Sequence, residues 1–310
     1  MKKFIFLLLS FVVFSCNAQK PSVNELEIKA DLEYLASDEL EGRDTGSQGI
    51  ELAARYIENT FKTHNVKPFF ETYRDSFNIK DMVGYNIVGT IEGQDPELKN
   101  EYVILGAHYD HIGFGKEING DSIANGANDD ASGTVAVLAW AKYFAWQNPK
   151  RSILFTLYSG EEKGLKGSTH LASRLKAMEL DVYTMINIEM IGVPRDPNHA
   201  LAYISGYDAS NMAEQLNAYA QDTIIGFLPQ AKELNLFKRS DNYPFYNAFK
   251  IPAHAISTFD FTNFEYYHHV DDEADKMDFT HMTRFVNDMI PALSGMINAQ
   301  TKAIKLNTNE

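Results

Sequence analysis

The chain has 310 residues and carries 42 acidic against 28 basic side chains, a formal net charge of −14. Such an excess of negative charge argues against nucleic acid and anionic membrane surfaces as partners. The single cysteine, Cys16, excludes a disulfide-stapled fold.

The first residues read as an export signal. Lys2 and Lys3 precede an apolar run, Phe4 to Phe14, shorter than the roughly 20 residues of a membrane span. Val13-Phe14-Ser15-Cys16 resembles a bacterial lipobox, which would lipidate Cys16 and attach the protein to a membrane there; plain cleavage after Ala18 is the alternative. The expected organisation is a leader over 1–16, a linker over 17–23 and one domain over 24–310. The expected location is the periplasm, the outer membrane as a lipoprotein, or the medium.

From Asn24 the pattern is helical to Ser37 and again from Ile50 to Phe61, with Gly42, Gly46 and Gly49 punctuating a polar loop between. Phe69 to Ile79 and Tyr85 to Ile91 read as an antiparallel strand pair near a sheet edge. Tyr102 to Leu105, Ile153 to Tyr158 and Met185 to Ile188 are continuous apolar runs, as expected of strands buried on both faces. Ala202 to Ile204 and Ala253 to Ser257 add shorter strands. Helices are expected over Ala131 to Trp146, Gly167 to Lys176, Asp208 to Gln221 and Thr280 to Ala299. The alternation predicts an α/β fold, a single domain with a mostly parallel central sheet flanked by helices. In such sheets ligands bind at the carboxyl ends of the strands, so polar residues just after the apolar runs are site candidates.

His108 and Asp110 follow the first run; two apart in extended chain, they share a face and suit a metal ligand with its orienting carboxylate. Gly126-Ala127-Asn128-Asp129-Asp130-Ala131-Ser132-Gly133 opens the next helix. Asp130 reads as a helix cap, whereas Asp129, among small residues, is placed to bridge two cations. Glu161 and Glu162 end the second run. Adjacent carboxylates there repel unless one is a ligand, which frees the other as a general base. Glu189 ends the third run, and His268-His269 lies in a late loop, where only one of the pair can serve a given site. Nitrogen and oxygen donors without thiolate suit zinc, manganese or cobalt.

These motifs, with Leu35 to Arg43, Gly164-Leu165-Lys166-Gly167-Ser168 and Arg239-Ser240-Asp241 before Tyr243-Pro244-Phe245, resemble the bacterial leucyl-aminopeptidase-like di-zinc exopeptidases. That family includes aminopeptidase Y, glutamate carboxypeptidase and the glutaminyl cyclases. The resemblance implies two Zn(2+) ions: one on Asp129, Glu162 and His268, the other on His108, Asp129 and Glu189. It implies Glu161 as general base and Asp110 as the residue orienting His108. The chain departs from the pattern at Glu189, where many relatives have aspartate, at Asn242, where histidine is usual, and at Phe237, where some aminopeptidases place an oxyanion-binding tyrosine. Arg239, Tyr243 and Tyr246 are therefore candidate substrate-binding donors. The implied activity is zinc-dependent exopeptidase action, foremost removal of amino-terminal residues from peptide substrates. Carboxypeptidase action with Arg239 as the carboxylate clamp, glutaminyl cyclisation, and a non-catalytic metal-binding module are the alternatives.

Overall fold

In the computed structural model, which describes residues 22–308, the continuous apolar runs become the centre of a nine-stranded sheet. The expected leader, Cys16 and most of the expected linker lie outside the described residues. The strands are β1 (Lys67–Pro68), β2 (Arg74–Ile79), β3 (Met82–Ile91), β4 (Glu101–His108), β5 (Gly113–Ile118), β6 (Asp121–Ala124), β7 (Ser152–Tyr158), β8 (Asp181–Glu189), β9 (Ala202–Ile204), β10 (Ile225–Gly226) and β11 (Ala253–Ser257). The helices are α1 (Glu25–Leu35), α2 (Gln48–Thr63), α3 (Ser132–Phe144), α4 (Lys166–Ala177), α5 (Met212–Ala220), α6 (Pro229–Glu233), α7 (Asn242–Phe249) and α8 (Phe279–Asn298).

Sheet order is β1-β3-β7-β4-β8-β11-β9-β10, with β2 paired to β3 and β5-β6 forming a separate hairpin. The strands at the centre, β7, β4, β8 and β11, run parallel. The antiparallel pairs lie outside them, β3 on β7, β1 and β2 on β3, and β9 on β11. Parallel strands need both faces covered, and the alternation of side chains supplies this. Val103, Leu105 and Ala107 of β4 face a core shared with α1, α2, α3 and α8. Ile104 faces the opposite core, with Leu171 and Leu175 of α4 and Phe245 of α7. Trp140 of α3 is fully buried and donates its indole N–H to the Val286 carbonyl at 3.0 Å, locking α3 to α8.

Two expected elements begin well after the residue that the periodicity suggests. The strand expected from Phe69 begins only at Arg74, because Phe69 and Phe70 turn aside into an edge-to-face pair packed on the α4 side of the sheet. The helix expected from Asp208 begins at Met212. Ser210 holds an extended backbone there, and its hydroxyl oxygen accepts the Met212 N–H at 3.1 Å.

The register levels the strand ends that carry the candidate residues. His108 pairs with Tyr158 across β4 and β7, and Glu189 with Ser257 across β8 and β11. Segments leaving these strands therefore meet at one edge of the sheet.

Candidate metal centre

His108 ends β4. Its Nδ1–H donates to the backbone carbonyl of Asp110 at 3.0 Å, which turns Nε2 toward Asp129 Oδ1 at 3.3 Å and Glu189 Oε2 at 3.6 Å. The carboxylate of Asp110, expected to orient the ring, stands 3.7 Å from Nδ1. It accepts instead from the Glu161 N–H at 3.3 Å and the Thr45 hydroxyl at 3.1 Å. Asp110 thus orients His108 through its main chain and Glu161 through its side chain.

Asp129 is held from behind. The N–H groups of Asn128 and Asp129 donate to the Asp272 carboxylate at 2.7 and 3.0 Å, and that of Ala127 donates to the Asp272 carbonyl at 3.0 Å. Asp272 thereby joins this loop to the loop carrying His268. Asp130 is the cap that its position suggests: its Oδ1 accepts from Gly133 N at 3.1 Å and from Met190 N at 2.9 Å, tying α3 to the end of β8.

The Asp129 carboxylate is divided. Oδ1 faces His108, whereas Oδ2 lies 3.2 Å from His268 Nε2 and 3.8 Å from His111 Nδ1. Glu162 Oε1 lies 3.0 Å from His268 Nε2 and 3.1 Å from His111 Nδ1. Glu189 directs Oε2 at His108, while its Oε1 accepts from the Ser240 hydroxyl and from Asn187 Nδ2. His269 faces elsewhere, with Nδ1 accepting the Asp271 N–H at 3.0 Å.

This donor set fits divalent cations. Two groups, His108-Asp129-Glu189 and His111-Asp129-Glu162, each bring their ligand atoms within 4.8 Å of one another. Zinc–nitrogen and zinc–oxygen bonds of about 2.0–2.2 Å separate two donors on one ion by about 3–4 Å at ordinary coordination angles, the spacing seen here. Buried His111 Nδ1 and Glu162 Oε1 are close, yet neither makes a hydrogen bond, an arrangement that a shared cation resolves. Electrostatics agree. Burial pushes the Glu161 carboxyl well above the usual range, with Asp241, Glu189 and Glu162 adding to the effect. At Asp129 burial also pushes up, but the imidazoles of His108 and His268 outweigh it and hold the carboxylate low.

A cleft opens over this floor, lined by His108, Asp129, Glu161, Glu162 and Glu189 and walled largely by Met190, Tyr203, Leu236, Phe259, Phe261 and Tyr267. Arg239 lines it and has no carboxylate partner among the described residues. Tyr243 and Tyr246, expected to reach substrate, do not line it. Their rings pack edge-on against Phe237, at 5.8 and 5.0 Å, because Phe237 turns inward over Gly206 and His254. Of the two tyrosines in the lining, Tyr203 donates to the Phe259 carbonyl at 2.9 Å, whereas the Tyr267 hydroxyl has no partner among the described residues.

Three roles escape a reading of the sequence. His111 is one residue beyond the His108-Asp110 pair, in an irregular segment that strand periodicity does not describe. Ser240 lies in a noted motif, but its part in fixing Glu189 needs the fold. Arg43, 1 % exposed, donates to the carbonyls of Leu35, Tyr109, Asn125 and Gly126. It staples the opening segment to the chain on both sides of the metal loops; burial pulls its pKa down to about 10, so it is charged at neutral pH.

A probable zinc metalloprotease of Pyrenophora tritici-repentis is 41% identical over 108 residues, covering 34% of this chain and 24% of that protein. The chain thus matches about a quarter of the length of such curated relatives. Among solved structures, the zinc aminopeptidase BSAP from Bacillus subtilis superposes with a TM-score of 0.70 at 14% identity, over 91% of this chain and 97% of that one. A glutaminyl cyclase from Fimbriiglobus ruber superposes with a TM-score of 0.69 at 17% identity, over 92% and 98%. At these identities the likeness is one of fold, and it does not separate the two chemistries. The model of peptidase family M28 matches residues 86–292, the span that contains β4, β7, β8 and all the candidate ligands, and the chain belongs to that family.

Proposed function

We propose that the protein is a zinc-dependent exopeptidase that removes amino-terminal residues from peptides. The observation that carries this reading is the divided Asp129 carboxylate, one oxygen in each of two imidazole–carboxylate groups, beside an uncommitted Glu161. His108, Asp129 and Glu189 would hold one ion; Asp129, Glu162 and His268 would hold the other. When bound, such ions lower the pKa of water and polarise a carbonyl.

The chain's own residues do the rest. Glu161, fixed through its N–H by Asp110 and lining the cleft, accepts the proton of the attacking water and returns it to the leaving amine. Tyr267 is placed to donate to the oxygen that develops negative charge, the part that Phe237 lacks the hydroxyl to play. The wall of Met190, Leu236, Phe259 and Phe261 suits an apolar terminal side chain.

Arg239, in the cleft without a carboxylate partner, favours a second reading in which it clamps a carboxyl terminus. One experiment separates the readings: mass spectrometry of a peptide incubated with the zinc-loaded protein, with its amino terminus free or acetylated. Stepwise loss from the free amino end, abolished by acetylation and by chelator, is expected. Trimming from the carboxyl end would shift the assignment to the second reading, and an unchanged peptide would refute both. The leader-like first residues support a further proposal, that the enzyme is exported and tethered through Cys16 when lipidated.

A further inference from the structure

We infer that His111 is a fourth protein ligand of the site formed by Asp129, Glu162 and His268, so that the two metal sites are unequal. The inference rests on the two-ion reading above and deepens it.

The His111 ring is completely buried. Its backbone N–H donates to the Arg43 carbonyl at 3.3 Å, and its ring lies edge-to-face on His268 with centroids 5.7 Å apart. Gly126 clears the space: a Cβ there would fall 2.5 Å from His111 Cγ. Within this packing Nδ1 faces Glu162 Oε1 at 3.1 Å and Asp129 Oδ2 at 3.8 Å. These are the same two oxygens that His268 Nε2 faces, at 3.0 and 3.2 Å. Two imidazole nitrogens therefore converge on one pair of carboxylate oxygens. If His111 were only a hydrogen-bond donor to Glu162, Nδ1–H would point along the line to Oε1. The two atoms are close enough for that bond but are not aligned for it, and both are buried without a hydrogen bond. A cation shared between them would satisfy all of these crowded donor atoms at once.

The consequence is an asymmetry. His111, Asp129, Glu162 and His268 supply four protein donors, the complement of a closed site; His108, Asp129 and Glu189 supply three and leave a position open. The open site is the one whose histidine lines the cleft, whereas His111 and His268 do not line it. The closed site retains its ion, and the open site is the one that exchanges metal and meets substrate.

The test uses the whole protein, labelled with 15N-histidine and saturated with 113Cd. Nitrogen–cadmium coupling is expected at His108 Nε2, His268 Nε2 and His111 Nδ1. Coupling at His108 and His268 alone would overturn the inference while leaving the two-ion reading intact. Failure of the protein to bind cadmium or zinc at all would remove that reading and this one with it. Zinc affinity gives a second measure. His111→Phe keeps an aromatic ring of similar size, and circular dichroism of the metal-free variant checks its fold. The tighter of the two zinc affinities should fall by more than about 100-fold, beyond the roughly 10–100-fold expected for loss of an outer hydrogen-bond partner. An unchanged tighter affinity in the folded variant would overturn the inference.

Discussion

On the floor of the cleft, polar atoms are held by polar atoms: Asp129 by Asp272, Glu161 by Asp110, Glu189 by Ser240 and Asn187, His108 by the Asp110 carbonyl. Above it rings are held by rings: Phe259 against Phe261 and Tyr267 on the wall, and Phe237 against Tyr243 and Tyr246 outside the lining. Hydrogen bonds fix an atom's direction and leave few substitutes, whereas ring packing fixes a volume that several side chains can fill. Changes to the floor should therefore act on chemistry or on the whole fold, and changes to the wall should act locally.

The sharpest way to test the floor is Glu161→Gln. The amide keeps shape but cannot take a proton, so turnover should fall by about 10²–10⁴-fold while bound zinc, read by elemental analysis, is unchanged. Retained turnover with retained metal would remove Glu161 from the role of base. Next in size is Arg43→Met. Four carbonyls lose their donor in a buried position, and a loss of about 3–5 kcal/mol in urea unfolding is expected. Arg43→Lys should recover only part, because one ammonium cannot span the four carbonyls. A loss below about 1 kcal/mol for the Met variant would mean that the staple is incidental.

The wall is tested by a matched pair. Tyr267→Phe keeps the stack on His268, at 4.0 Å between centroids, and removes the one phenol of the lining that has no partner among the described residues. We expect kcat to drop by about 10²-fold, the effect of removing one oxyanion donor, with metal content unchanged. Tyr243→Phe, outside the lining, should leave kcat within about twofold. Equal effects from the two would break the distinction drawn between their positions.

The same contrast explains what the sequence makes legible. Continuous apolar runs with acids and imidazoles directly after them reveal both the parallel centre of the sheet and the residues at its edge, since local pattern and tertiary position coincide there. His108, Asp129, Glu162 and Glu189 are of this kind, each following a strand or opening a helix. His111 and Ser240 are not. His111 lies beyond the strand in an irregular segment, and Ser240 meets Glu189 only because α7 and β8 pack together. The wall is least legible. Whether Tyr243, Tyr246 or Tyr267 presents its hydroxyl to the cleft depends on which ring turns inward, and inward packing of Phe237 leaves Tyr243 and Tyr246 outside the lining.

Behind the wall lies one polar group that should respond to pH rather than to substrate. His254 on β11 is fully buried; its Nδ1–H donates to the Ser205 carbonyl at 2.8 Å and its Nε2 accepts from the Ser210 hydroxyl at 2.7 Å. Burial lowers its pKa to about 4, against 6.5 for an ordinary histidine, with the Ser205 bond opposing. Between these values the unfolded chain binds a proton that the folded chain refuses. Stability from this residue is therefore complete above about pH 6.5 and is lost as pH falls toward 4. A shift of that size corresponds to roughly 2–3 kcal/mol between pH 7.5 and 4.5. His254→Gln retains a donor and an acceptor but cannot titrate. In metal-free protein, which keeps metal–proton linkage out of the measurement, the variant should be the less stable form at pH 7.5. The gap should close by that amount at pH 4.5, as urea unfolding at the two pH values would show. A gap that stays constant would mean that the ring titrates normally in place, and that the packing of Phe237 over it, at 5.4 Å, does not keep the proton out.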